Sequence, residues 1–428
     1  LSKSAAEIRD PIHGYIYASK AEKSVIDTAI FQRLRRIKQL ASAHLTYPGA
    51  QHSRFEHSVG TMFLAGRAGN ILSEKYGFDR TDELRLAALL HDVGHGPFSH
   101  LFEEVLSVKT DVTHEDITKR IIIETEIGDI LSKNGINVKQ FASLPLGIPS
   151  KYPRYMNDII SGVLSVDTMD YLLRDSYFTG VEYGKVDVHR VVNSYEVIND
   201  VIGLDRAALY ALEALLIARY EMFRAVYFHR TVRASEIMLI KAMTLADDHL
   251  GFSNLKNLDN YLLLTDEVAV AKLTSMSSGD PKLRQAKKLA TDYVNRNLVK
   301  CVFERMLQRK DTFIERIFSQ RRIREELARE VADKANVDQE TVFIDVPTTP
   351  SVPMTSLHES LTEIMVVSKD TNGKIHEKVR ATDLPLLGSI LGYMDMMRVY
   401  TTQENRKRVE KAVNVIFKKE GLMARISV

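Results

Sequence analysis

The chain carries one cysteine, Cys301, in 428 residues. An intramolecular disulfide is therefore excluded, as is any cysteine-rich zinc site. Such scarcity suits a reducing, cytoplasmic setting. Long apolar runs are also missing. No stretch reaches roughly 18 apolar residues, so no membrane span and no membrane partner are expected. No secretory leader is read. Proline is scarce, with 11 residues and none between Pro153 and Pro281 or between Pro281 and Pro347. Long proline-free stretches rich in Leu, Ala and Ile favour helices. There is no excess of one charge either: 58 Lys+Arg against 56 Asp+Glu leave +2. That balance argues against a whole-protein nucleic-acid coat or a basic membrane binder, although local patches leave a nucleic-acid partner open.

What is present is an ordinary globular composition, 45% apolar and 27% charged, in a chain long enough for a substantial core. Histidine is distributed unevenly. Eight of 13 lie in the first 114 residues: His13, His44, His52, His57, His91, His95, His100 and His114. That is more than twice an even spread, and a local excess of imidazole directs attention to metal or acid–base chemistry.

The patterning predicts a mainly α protein with a small α+β C-terminal region. Residues 1–20 read as a hairpin-like lead-in with Pro11 and Gly14 as turn signals. Helices are expected over about 23–40, with Ile26, Ile30, Leu34 and Ile37 at helical spacing, and over 54–76, 81–92, 115–135, 157–178 and 204–250. Ser53 and Thr81 are candidate caps. A loop is expected over 141–156, and 258–335 reads as helical. From Asn336 the character changes: 341–346 is strand-like, 347–356 a Pro/Thr/Ser-rich loop, and 364–367 with 374–379 a hairpin around Asn372-Gly373. A charged helix follows at about 403–419. The expected division is a core at 1–335 and a C-terminal unit at 336–428.

The candidate chemistry rests on His57, the doublet His91-Asp92, the nearby His95, His100 and His114, and Asp167. Imidazoles and carboxylates together suit a divalent transition metal with room for water. Adjacent residues on an ideal helix point about 100° apart, so both members of a doublet reach one ion only at a helix end. Leu84 to Leu90 precedes the doublet and Gly94-His95-Gly96-Pro97 follows it, which places it at such an end. Taken singly, each histidine reads equally well as a surface or satisfied core residue, and Asp167 and Asp170 as solvated helix charges.

Longer motifs accompany this set. They are Asp10-Pro11-Ile12-His13-Gly14, Phe31 to Leu40, Tyr47-Pro48-Gly49-Ala50, Arg54-Phe55-Glu56-His57-Ser58, His91 to His100 and Thr113-His114-Glu115. In this ordered series the chain resembles the HD-domain metal-dependent phosphohydrolases. Among them it is most similar to the SAM-and-HD-domain dNTP triphosphohydrolases and their prokaryotic relatives, here without a SAM domain. The similarity covers roughly 1–335 and extends weakly through Leu386 to Tyr400.

The resemblance implies a divalent metal ion (Fe²⁺, Mn²⁺, Zn²⁺ or Mg²⁺) on His57, His91, Asp92 and Asp167, with further Mg²⁺ accompanying the nucleotide. It implies cleavage of a dNTP between the α-phosphorus and the 5′ oxygen, giving deoxynucleoside and tripolyphosphate. His100 and His114 match histidines beside the α-phosphate, and Glu115 matches an orienting partner for His114. His95 reads either as a phosphate contact or as a structural histidine. Arg54 and Arg219 match phosphate-binding arginines, whose planar fork suits bidentate contact. Tyr171, Asp175, Gln39 and Leu40 match residues at the deoxyribose.

The resemblance further implies a homo-oligomer, a dimer or a tetramer, with a GTP or dGTP activator between subunits. Asp27, Gln32 and Arg35 match its guanine readers, and Arg296, Leu298 and Lys300 the segment of the neighbouring subunit. The Met-rich stretch 236–243 is read as a further interface. One departure stands out: Thr168 occupies a position where some members carry a phosphate-binding lysine. This motivates an alternative reading, an HD phosphohydrolase acting on nucleoside monophosphates or phosphodiesters. A third reading is a nucleotide-sensing oligomer with a vestigial site.

Overall fold

A computed structural model describes residues 4–307, 320–346, 363–370, 373–380 and 395–417. Loop 347–356, Asn372 of the expected turn, residues 386–394 and the end of the last helix lie outside the described residues.

The fold is mainly α. The lead-in is an antiparallel hairpin, β1 (Ala6–Asp10) with β2 (Gly14–Ala18). The helix expected over 23–40 is instead broken. Helix α1 (Lys20–Ile26) ends at Asp27, Thr28 caps α2 (Ala29–Gln32) by accepting from the Phe31 amide, and one tighter turn follows at Arg33–Arg36. A threonine offered as a cap competes with continued helix, which explains the break.

Helix α3 (Arg54–Tyr76) starts at the expected residue because Ser53 and Glu56 form a reciprocal capping box. Gly77, in the left-handed region at φ 70°, ends it. Helix α4 (Thr81–Leu90) packs along α3. Helices α5 (His100–Leu106), α6 (His114–Glu124), α7 (Glu126–Lys133), α8 (Val138–Phe141), α9 (Arg154–Ser161) and α10 (Val166–Thr179) follow, with α10 lying across α3. One large apolar core, including Met62, Leu89, Ile121 and Met169, joins these layers.

Beyond α11 (Val188–Asn193) a hairpin that the helical reading passes over, β3 (Tyr195–Ile198) with β4 (Val201–Asp205), turns on Asn199 and Asp200, both at positive φ. Helices α12 (Leu209–Met222), α13 (Arg230–Leu250), α14 (Leu258–Leu262), α15 (Asp266–Ser275) and α16 (Pro281–Val294) complete the body. Met238 and Met243 of α13 are buried in the main core. They pack inward and are not offered to another subunit.

Strand β5 (Lys300–Leu307) lies where helix was expected. With β6 (Val342–Asp345) and β9 (Asp395–Thr401) it forms a sheet ordered β5-β9-β6. The helices Arg321–Ala335 (α17) and Arg406–Phe417 (α18) cover this sheet over a second core that includes Phe303, Val331, Val399 and Val413. That core, the heart of a second unit, draws on β5 and α17, both before residue 336, as well as on β6, β9 and α18. The hairpin β7 (Glu363–Asp370) and β8 (Gly373–Arg380) forms as expected. It joins the body instead, β7 running parallel to β4. No described helix is long and apolar enough to cross a membrane.

Candidate metal centre and active site

Three helix ends converge. His57 lies in the first turns of α3, His91 and Asp92 directly follow α4, and Asp167 is in the first turn of α10, capped by Ser165. His57 Nε2 lies 3.0 Å from Asp167 Oδ1, 3.2 Å from His91 Nε2 and 3.5 Å from Asp92 Oδ2. His91 Nε2 is 3.4 Å from Asp92 Oδ1 and 3.6 Å from Asp167 Oδ1. Two donors each about 2.1 Å from a shared ion stand about 3.0 Å apart at a right angle and about 3.4 Å apart at a tetrahedral one. His57, His91 and Asp92 thus form a group that could hold a divalent ion, and Asp167 stands beside both imidazoles.

The imidazoles are preset for this. His57 Nδ1–H donates to Asp170 Oδ2 at 2.8 Å, and His91 Nδ1–H donates to the Ala88 carbonyl at 2.8 Å. Both Nε2 lone pairs are left facing the cluster. Asp170 is itself held by Arg174, through Nε at 2.8 Å and Nη2 at 2.9 Å, and by His13 Nε2 at 2.7 Å. Arg174 reaches on to Asp10 at 2.8 Å. Gly60 makes room for this knot, because a Cβ there would lie 2.0 Å from Asp170 Oδ1. Burial alone would lower the His57 imidazole, but hydrogen bonds to Asp167 and Asp170 overcome it and raise it to about 10. The pocket thus holds positive charge strongly, and a divalent cation would replace that proton.

Arg54 bonds Asp92 through Nη1 and the Ser99 hydroxyl through Nε at 2.7 Å. Burial pushes the Asp92 carboxyl up, and Arg54 with His91 and His95 overrides that and holds it well below the usual range. The loop after the doublet is strained. Phe98 and Ser99 stand at φ 59° and 60°, each costing on the order of 1–3 kcal/mol. Asp266 accepts the Phe98 amide at 2.7 Å, and the Ser99 hydroxyl donates to the Lys38 carbonyl at 2.8 Å.

A second cluster adjoins the first. His95 Nε2 lies 3.2 Å from Asp92 Oδ1, and its ring stacks on His114 with centroids 3.9 Å apart. His100 meets both rings edge-on. Neither ring nitrogen of buried His95 has a hydrogen-bond partner with acceptable geometry. Burial, Arg54 and His114 keep it uncharged. The carboxylate on His114 Nδ1 is Glu103, which also approaches His100 Nδ1 at 3.5 Å. Glu115, expected in that role, is exposed in the first turn of α6. Burial depresses His114, and Glu103 overcomes that and raises it. Glu103 was missed in the sequence, although His100 and Glu103 share the three-residue spacing of helix neighbours.

The remaining expected residues divide. Asp175 is buried and bound by His52 Nε2 at 2.8 Å and the Tyr227 hydroxyl at 2.6 Å. Tyr171 meets Tyr227 edge-on, and the Arg219 guanidinium lies 6.0 Å from the Tyr171 ring. Arg219 Nη1 donates to the Thr168 hydroxyl at 3.3 Å, so the residue in the lysine position faces an arginine. The Gln39 backbone N–H donates to the His52 carbonyl at 3.1 Å, which puts the Gln39-Leu40 backbone beside this group.

Arg296 and Lys300 line a cavity of about 320 Å³ with Leu298, Arg230 and Arg406. Asp27, Gln32 and Arg35 are not among its lining residues. Asp27 pairs with Lys23, while Arg35 bonds Gln32 at 2.8 Å and lies over the Phe55 ring.

The HD domain profile matches residues 54–175, and the HD associated region matches 186–422. The chain belongs to the HD-domain family. Among its HD relatives is the uncharacterized protein MJ1154 of Methanocaldococcus jannaschii, 38% identical over 264 residues (60% of this chain and 54% of that one). The deoxynucleoside triphosphate triphosphohydrolase SAMHD1 homolog of Dictyostelium discoideum is 33% identical over 321 residues (71% and 61%). The chain thus spans little more than half the length of these curated relatives. A crystal structure of a hypothetical protein from Aquifex aeolicus superposes with TM-score 0.76 at 30% identity, covering 95% of this chain and 99% of that one.

Proposed function

We propose that this HD protein is a metal-dependent phosphohydrolase that cleaves deoxynucleoside triphosphates to deoxynucleoside and tripolyphosphate. The observation that carries the reading is the contact between the two clusters. Asp92 belongs to the four-donor set and touches both Arg54 and His95, so a metal-binding pocket opens directly onto a row of cationic and imidazole groups suited to phosphate. The similarity to the Dictyostelium enzyme supports the substrate class.

A divalent ion in the four-donor set supplies Lewis acidity, polarising a phosphoryl oxygen and acidifying water. The chain's own groups then divide the work. Arg54 and Arg219 bind phosphate oxygens and stabilise the charge that develops there. Water adds to the α-phosphorus as the bond to the 5′ oxygen breaks, and His114, whose basicity Glu103 raises, offers its Nε2 proton to that departing oxygen, with His100 beside it on the same carboxylate. His95, uncharged and tightly packed, fixes the ring of His114 by stacking. Tyr171 and Asp175, the latter oriented by His52 and Tyr227, form the sugar end with Gln39 and Leu40.

The basic cavity of Arg230, Arg296, Lys300 and Arg406 suits the phosphates of a GTP or dGTP activator held between subunits, with Asp27, Gln32 and Arg35 of a neighbouring copy reading guanine. The test is product analysis with each dNTP, singly and mixed, plus Mn²⁺ or Mg²⁺. Tripolyphosphate and deoxynucleoside in equal amounts are expected, and diphosphate or monophosphate products alone would refute the reading. Thr168 favours one alternative, turnover of nucleoside monophosphates or phosphodiesters, which the same assay extended to those substrates would reveal.

A further inference from the structure

The body and the second unit meet at a buried charge cluster that the sequence does not announce. Arg233, on α13, is 7% exposed. It grips Asp345 of β6 with two nitrogens, Nε at 3.1 Å and Nη2 at 2.7 Å, and Glu236 of its own helix at 2.7 Å. Its Nη2 also lies 3.7 Å from Glu104 of α5. Arg324 of α17 and Arg398 of β9 contribute charge from the remaining sides. One guanidinium thus joins three acids from three elements, which is costly to bury and strongly directional once formed.

The location gives this cluster its significance. Glu104 follows Glu103, the carboxylate that holds His114 and approaches His100, and His100 begins the same seven-residue helix. The Glu104 contact, an ion pair at 3.7 Å, adds to the buried packing of Leu101, Phe102, Val105 and Leu106 on the other face of α5 and to the Glu103–His114 contact. A chain of charged contacts therefore runs from the sheet of the second unit, through Asp345 and Arg233, to the backbone that carries Glu103 and His100. Neither Arg233 nor Asp345 touches the metal or phosphate side itself.

We infer that Arg233 is a positioning residue, which sets the placement of His100 and Glu103 on α5 by anchoring Glu104 to the second unit. This rests on the phosphohydrolase reading, because it gives α5 its catalytic role. The second unit is then part of the active-site apparatus as well as an added lobe. Any displacement of β6 is transmitted to the proton-donating end of the site and leaves the metal-binding end untouched.

The test uses the full chain with four substitutions: Arg233→Met, Arg233→Lys, Asp345→Asn, and Val413→Ala as a control that weakens the second core away from the charges. Steady-state kinetics on whichever phosphoester the unaltered protein hydrolyses should show kcat lowered about tenfold or more in Arg233→Met, with KM within twofold. Asp345→Asn should move the same way, Arg233→Lys should recover part of the loss, and Val413→Ala should lower the melting temperature while keeping kcat within twofold. The ring C–H NMR signals of His100 and His114 in the diamagnetic Mg²⁺ form should shift in Arg233→Met and less in Arg233→Lys. If kcat and these signals stay put in Arg233→Met, or if Val413→Ala matches its loss of kcat, Arg233 is structural only. An unaltered protein that hydrolyses no phosphoester would overturn the phosphohydrolase reading, and the NMR comparison would still decide whether Arg233 places the histidines.

Discussion

The two histidine clusters are neighbours, yet they are built differently. The metal-side cluster sits at the ends of α3, α4 and α10 and is backed by buried partners: Asp170, Arg174, Asp10 and His13 behind His57, and the Ala88 carbonyl behind His91. The phosphate-side cluster sits on the loop after α4, which carries His95, and on the first turns of α5 and α6. His100 is half exposed, and a single carboxylate, Glu103, serves two imidazoles. The first arrangement suits a group that must keep fixed geometry in every state. The second suits groups that exchange protons and must accommodate an arriving and departing ligand. Rigidity is concentrated where it holds a cation, and adaptability where bonds change.

The largest expected effect comes from the rigid side. His91→Ala with Asp92→Ala should abolish bound metal and lower turnover on the order of 10³-fold or more. Helical content should be retained, which metal analysis and circular dichroism would establish. A crossed pair then separates the clusters. Glu103→Gln should lower kcat on the order of 10²-fold with metal content unchanged. Asp170→Asn should weaken metal affinity roughly 10–100-fold and also reduce stability, because buried Arg174 loses a partner. If Glu103→Gln strips the metal, the two clusters are one unit and the contrast fails.

The smallest effect concerns pH and lies outside both clusters. Burial raises the Glu236 carboxyl from 4.5 to about 7, against the pull of Arg233. Between those values the folded state binds the extra proton. The stability this confers is complete below about 4.5 and is lost as pH rises through about 7. Denaturant titrations at pH 5 and pH 8 should show Glu236→Gln flattening this slope by on the order of 1–3 kcal/mol. An unchanged slope would place the proton elsewhere.

Much of the fold could be read from local pattern. The Ser53–Glu56 box, the glycine at 77 and the apolar run before His91 are all short-range signals, and α3, α4 and the doublet's place at a helix end follow from them. Strand β5 was not legible, because Lys300, Glu304, Arg305 and Met306 are good helix formers overridden by pairing with β9, some ninety residues later. The hairpin of β3 and β4 escaped for a related reason, its turn resting on non-glycine residues at positive φ. In the site, His57, His91 and Asp92 are brought together as a group that could hold a metal, with Asp167 beside the two imidazoles. Their supporting residues were harder to find: His13 and Asp10 reach Asp170 and Arg174 across more than 150 positions, a distance no periodicity spans. Only the three- and four-residue spacings Asp167–Asp170 and Asp170–Arg174 hinted at them.

The strand order β5-β9-β6 has a consequence for how the chain is made. The central strand of that sheet is the last to leave the ribosome. Until it arrives, β5 and β6 are unpaired edges and the second core is open. Asp345 emerges well before its sheet exists, so the grip of Arg233 on it matures late. A nascent or prematurely terminated chain would thus hold a complete set of metal donors while its proton-donating helix was still unanchored. Anchoring of that helix would then wait on β9, the last of the three strands of this sheet to be made, although the expected metal donors all precede α11.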